Sequence, residues 1–525
     1  MFWTFGPLII SLAATQDLKL EASLGFDQRA RVGVSTPIFI TIENRGQRRS
    51  GRVVVDLYRD SRTVESRLTQ AVTLEAPARK RFVLYAVLTP EVSEARVRAE
   101  FGDLVRQQTL IPELLRASDE LQLAVFDPQA ATAPRSVSLA ESGPARHRAV
   151  ATPAQLPDRW FGYDGVSTVW LGEVNPQLFA PQQVDALRQW VAGGGELVAL
   201  GGRFAARHRG SWLEPLLPPP GATRRFGLGR LRRRAGESMP ELTLASDPSR
   251  TVPNFEALRD VVTMERRIGS RRTLLVEWTF FLLGAAGLVS IGLGVRRRRT
   301  PLALVGIMLL AGGVVRWSWA LVVTEAELRE VTVIVATPGE SWAPSRTVAR
   351  ARSTQGGRFS VSARPGATLT RNQLERALGP VEYVQELEGL TLPGVRFAPE
   401  AKLEFLVQSS TELRNLEVVQ ERGRFVVTNR SRFALRHCWI AGEGAATDRG
   451  SVAAGERAEL ERPRPSYLGR WQDSIRAAVG KLVPVPESAL CAWIELPPQV
   501  SVGARKVDGR GLSVVIIPLS PRSRR

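Results

Sequence analysis

The side chains best able to carry chemistry in this sequence are few: the histidines His147, His208 and His437 and the cysteines Cys438 and Cys491. Nucleophilic catalysis needs a thiolate or alkoxide with a base within hydrogen-bond reach, and a metal centre needs several convergent ligands. The histidines are far apart along the chain. Only His437 and Cys438 are adjacent, and neighbours on a strand point to opposite faces. No third ligand suggests itself beside them, so neither a metal site nor a cofactor is expected. Cys438 and Cys491 lie on two predicted strands of one region. In an oxidising compartment they are a possible disulfide, with two buried free thiols as the alternative. Gly193-Gly194-Gly195 precedes a strand rather than a helix, and so lacks the geometry of a phosphate-cradling loop.

Charge gives a second set of expectations. The formal net charge is +19 and the pI about 11.1, a balance often associated with nucleic acid. The basic residues are nearly all arginine and are dispersed among acids, so nucleic acid is not an expected partner. Local clusters instead flank hydrophobic runs. Leu274–Val295 and Pro301–Val323 are each long enough to cross a bilayer of roughly 30 Å as a helix. Arg296–Arg299 between them is a cytoplasmic loop signal. Residues 274–323 are therefore expected to form two transmembrane helices, with the lipid bilayer as a partner. Within them Glu277 and Arg316 sit toward the same side and are a possible intramembrane ion pair. The apolar run Phe2–Ala14, ending in small residues, reads as a signal peptide over residues 1–16. Both large regions are then expected outside the cytoplasm, on a two-pass cell-membrane protein.

The elements that would position these residues follow from hydrophobic spacing. Composition, at 44% hydrophobic and 23% charged, is that of a folding chain. Residues 17–112 carry short β-branched runs such as Pro37–Glu43 and Arg52–Leu57 with turn residues between them, the pattern of an immunoglobulin-like β-sandwich. Residues 113–220 alternate strand and helix. Pro181–Ala192 places Val184, Leu187, Trp190 and Val191 at helical spacing, and strands are predicted on either side, which suggests an α/β domain with a parallel sheet. Residues 221–273, with Arg224, Arg225, Arg230, Arg232, Arg233 and Arg234, read as a basic linker. Residues 324–525 form a second β-rich region with one amphipathic helix within Tyr467–Leu482. A weak repeat joins the two β-rich regions, a β-run ending in Asn44-Arg45-Gly46 in one and Asn429-Arg430-Ser431 in the other.

The run from Asp164 to Gly202 resembles the class I glutamine amidotransferase-like domains of bacterial membrane proteins, on Asp164, Trp190, Val191, Gly194, Gly195, Gly201 and Gly202. The domain order is similar in part to auxiliary subunits of gliding-type ABC transporters. Amidotransferase activity requires a cysteine at the turn after the central strand. The matching turn is Leu200-Gly201-Gly202, without cysteine or serine, so the resemblance implies a non-catalytic domain. The expected role is an interaction or scaffold module of the cell envelope that binds a membrane or envelope protein partner. A small-ligand or glycan-binding module on the amidotransferase-like domain, or an unrecognised hydrolase, are the alternatives.

Overall fold

The structure is a computed structural model that describes most of residues 17–239 and 326–519, apart from short stretches within them. The N-terminal unit buries alternate residues on strands of period two. In Glu94–Phe101 the residues Ala95, Val97, Ala99 and Phe101 are buried while Arg96, Arg98 and Glu100 face outward. A three-stranded sheet, ordered Leu18–Leu24, Ser35–Asn44 and Ala78–Val87, supplies Ile38, Ile40 and Ile42 to the same core as Val53, Val55 and Leu57 of Arg49–Tyr58. The edge of the first sheet is sealed by side chains of the second. The amide of Gln108, on Leu104–Leu110, accepts from the N–H of Ala22 at 2.7 Å and donates to its carbonyl at 2.9 Å. The Arg106 guanidinium donates to the Leu18 carbonyl at 3.1 Å.

The middle unit is a seven-stranded mixed sheet ordered Val137–Leu139, Arg146–Ala151, Glu120–Val125, Thr168–Leu171, Glu196–Ala199, Gly229–Arg233 and Thr223–Phe226. Its two outer strands run antiparallel to their neighbours. Helix α1 (Pro181–Ala192) packs Leu187, Trp190 and Val191 onto one face. The expected α/β class is corrected here. The other described connections are loops and short 3-10 turns such as Pro153–Gln155 and Trp160–Tyr163, plus a four-residue helix at Ala205–His208. The described chain as a whole is predominantly β. The expected basic linker is corrected too. Thr223–Phe226 and Gly229–Arg233 form a hairpin at the sheet edge because Phe226 and Leu231 alternate with the arginines and enter the core.

Residues 274–323, with Glu277, Arg316 and the two spans expected there, lie outside the described residues, as does the expected signal peptide. Among the described residues no helix is long and apolar enough to cross a membrane. The expected fold class is corrected to that extent: the described residues form a predominantly β fold without a transmembrane helix.

The C-terminal unit centres on a seven-stranded sheet ordered Thr368–Arg371, Lys402–Glu412, Trp342–Ser353, Ala326–Val335, Val507–Pro518, Ala489–Ile494 and Arg436–Ile440. Both faces are covered, so Ala489–Ile494 is buried at every position. One face receives Ile475 and Val479 of the helix Arg470–Gly480. The other receives a three-stranded sheet ordered Leu416–Glu421, Arg424–Asn429 and Arg457–Leu460.

This small sheet has the same strand arrangement as its N-terminal counterpart, and the repeated asparagines do the same work in both. Asn44 and Asn429 are fully buried at strand ends. Each accepts from the N–H two residues on, Gly46 at 3.2 Å and Ser431 at 3.1 Å. Each then donates to a nearby carbonyl, Gln47 or Phe433, both at 2.7 Å, and to one on a distant turn, Glu75 or Ala453, both at 3.0 Å. Such side-chain bonds take over where the strand ladder stops.

N- and C-terminal units also share an eight-stranded sheet. Val381–Glu386 pairs in parallel with Val64–Leu74, Val381 opposite Ser66 and Gln385 opposite Gln70. The Tyr383 ring packs against the cores on both sides.

Candidate functional site

The turn at which an amidotransferase would carry its nucleophile is filled by backbone. A Cβ on Gly201 would lie 2.2 Å from the Arg234 carbonyl oxygen, and the Gly201 N–H donates to the Gly236 carbonyl at 3.0 Å. The neighbouring strand ends are closed as well. The Phe126 ring occupies the space beside Gly172, and Arg207 bridges Asp127 at 3.1 Å and Glu173 at 3.5 Å. Among the described residues, these contacts occupy the strand ends at which open α/β sheets commonly bind small molecules.

The histidines stay apart. His147 is buried against Ser138 Oγ at 2.9 Å. His208 is 2% exposed, and neither ring nitrogen has a partner. Burial, with a contribution from Arg233, lowers its pKa to about 4. His437 holds Asp448 Oδ2 through Nδ1 at 2.6 Å. The possible disulfide is not formed. Cys438 and Cys491 are free and buried, in the cores on opposite faces of one sheet. Burial pushes the Cys438 thiol up to about 12 and the Cys491 thiol higher still. Groups of three or more histidine, cysteine or acidic side chains able to hold a metal are absent among the described residues.

Asp164, one of the residues carrying the amidotransferase resemblance, is a clamp between units. Its side chain is 6% exposed, and it meets Arg346 at 2.5 Å and accepts from the buried amide of Gln408. The Arg346 guanidinium lies over the Trp160 ring, 5.1 Å from its centroid. The Trp160 indole N–H donates to the Ser409 carbonyl at 2.9 Å, and Ser410 Oγ donates to Gln189 Oε1 at 2.5 Å. These bonds tie the 3-10 turn Trp160–Tyr163 and helix α1 to the strands Trp342–Ser353 and Lys402–Glu412.

Beside the clamp, the same two units enclose a cleft of about 370 Å³. Asp185, Arg188, Gln189 and Ala192 line one wall, at the i, i+3, i+4 and i+7 positions that share a helix face. Phe226 is brought in by the Arg-rich hairpin. Its turn packs tightly on the end of α1 because Gly227 has φ +63, and a Cβ there would meet the Ala192 carbonyl at 2.5 Å. The opposite wall is the turn Thr337-Pro338-Gly339-Glu340, closed by the Glu340 N–H on the Thr337 carbonyl at 3.1 Å. Proline second and glycine third, with φ +82 at Gly339, make this a type II turn. It presents Glu340 to Arg188 as an ion pair. It also leaves Ser341 exposed and Trp342 49% exposed at the mouth. The sequence announces the turn through Pro338-Gly339. It does not announce that Trp342 faces solvent or that α1 lies opposite.

A family model described as a domain of unknown function, DUF8726, matches residues 17–112. No curated protein matches the chain. Among solved structures the chain is similar to the yeast delta-COP-I mu-homology domain complexed with the Dsl1 WxWxV peptide, at 8% identity and TM-score 0.19, over 37% of this chain and 95% of that one. The same yeast domain in a second structure matches at 7% identity and TM-score 0.18, with the same coverage. A Paenibacillus sp. cycloisomaltooligosaccharide glucanotransferase complexed with cycloisomaltoheptaose matches at 12% identity and TM-score 0.18, over 34% of this chain and 27% of that one. At these scores the likenesses carry no functional argument. The matching family model carries no assigned function, and the described residues form a mostly β fold in which no helix is long and apolar enough to cross a membrane, so the expected amidotransferase-like and membrane descriptions are withdrawn as unsupported.

Proposed function

We propose that this chain is a non-catalytic binding protein that holds a ligand in the cleft between helix α1 and the Thr337–Trp342 turn. The observation that carries this reading is Trp342, a large apolar ring left half-exposed at the mouth of a polar cleft. A solvent-facing tryptophan beside convergent polar groups is the composition of a recognition site. Nothing in the cleft favours a hydrolase. Arg188 and Glu340 are engaged with each other, Ser341 is exposed, and the three histidines lie outside the lining. The test is a thermal-shift screen of chemically diverse small molecules on the full chain and on Trp342→Ala, with each hit analysed by mass spectrometry. A compound that stabilises only the chain with Trp342 intact, and is recovered unchanged, is the expected result. Hits that are consumed, or that stabilise both proteins equally, would overturn it.

A further inference from the structure

We infer that the cleft takes a neutral oligosaccharide, an inference that rests on the binding role proposed above. The lining mixes hydrogen-bonding senses. Asp185 and Glu340 offer acceptors, Arg188 offers donors, and Gln189 and Ser341 offer both. A sugar hydroxyl is donor and acceptor at once and suits such a wall. A cationic ligand needs acceptors alone and would be repelled by Arg188, while an anionic one would meet two carboxylates against a single guanidinium. Arg188 and Glu340 neutralise each other as an ion pair, which leaves the exposed Asp185 carboxylate as an acceptor for hydroxyls.

The remaining surfaces are apolar. Trp342 offers a flat ring and Phe226 a buried edge. A pyranose has one face made largely of C–H groups, and an indole ring receives such a face while the hydroxyls around the ring turn toward the polar walls. A volume of about 370 Å³ is near the lower end of the roughly 300–1,000 Å³ of small-molecule sites. The cleft therefore grips a short stretch of a saccharide and leaves the rest of the chain in solvent. Gln189 is already held by Ser410 Oγ, so one polar group of the wall is oriented before a ligand arrives.

Calorimetric titration of the full chain with maltohexaose, cellohexaose and hexa-N-acetylchitohexaose, and with tetralysine as a cationic comparison, tests the inference. At least one saccharide should bind. Trp342→Ala, a substitution at a half-exposed position, should weaken it by about tenfold or more, as loss of a central aromatic contact commonly does. Asp185→Asn keeps the shape and much of the hydrogen bonding, and should weaken it less. Circular dichroism checks that both variants are folded. Binding of tetralysine that depends on Trp342 would overturn the saccharide and leave the binding role standing. So would no saccharide binding alongside Trp342-dependent hits in the compound screen. Saccharide binding unaffected by Trp342→Ala would overturn the site.

Discussion

Burial without a partner for either ring nitrogen keeps His208 neutral at pH 7. The unfolded chain takes up a proton on this group near pH 6.5, and the folded chain refuses it until about pH 4. The stabilisation is therefore present above pH 6.5 and is lost progressively as pH falls toward 4. Between pH 7 and 5 His208 should cost about 2 kcal/mol of stability. His208→Leu removes no hydrogen bond and should leave stability at pH 7 nearly unchanged while flattening that loss. Urea unfolding at pH 7 and 5 would show it, and an unchanged pH dependence in the variant would rule out the assignment. Asn44 and Asn429 are the opposite case, since their amides are fully used on carbonyls and N–H groups of the turns that follow their strands.

At the scale of elements, Gln108 shows how an open strand edge is managed. Its amide takes both backbone groups of Ala22 and so stands in for a neighbouring strand. Gln108→Ala should lower stability by about 1–2 kcal/mol and expose the Leu18–Leu24 edge to a second molecule. Urea unfolding and light scattering report the two effects, and a variant as stable and monodisperse as the parent would refute them. Such elements were legible in the sequence to different degrees. Helix α1 covers the residues whose spacing predicts it, and the alternation in Glu94–Phe101 marks a half-buried strand. The Arg-rich segment misleads, because two apolar residues among many arginines suffice to anchor a hairpin at a sheet edge. The cleft was not legible. Its walls come from Asp185–Ala192 and Gly339–Trp342, which nothing in local pattern brings together. Asp164 shows the same limit, since a residue that resembles part of an enzyme family proves to be the counter-charge of Arg346.

Across the whole molecule, the clamp at Asp164 and the shared eight-stranded sheet make one body of the regions before and after residues 240–325. Asp164→Ala would remove the carboxylate that Arg346 and Gln408 share and should lower stability by about 2–4 kcal/mol. Adding Arg346→Ala should cost less than Arg346→Ala does alone, because the ion pair is already lost and contacts such as that with the Trp160 ring are what remains to remove. Additive losses in this double-mutant cycle, followed by urea unfolding, would show that the pair does not couple. A joined sheet also requires both regions to occupy the same compartment, since its hydrogen bonds tolerate no barrier between Gln70 and Gln385.

The pairing of Val64–Leu74 with Val381–Glu386 also sets a schedule. Translation at ~5–20 residues per second separates the emergence of Ser66 from that of Val381 by roughly 15–60 s. Through that interval the hydrogen-bonding groups along one side of Val64–Leu74 have no strand to meet, in a region that can otherwise close around its own core. Each newly made molecule thus passes through a timed vulnerability to pairing with a nascent neighbour, and the rate of synthesis itself becomes a determinant of yield.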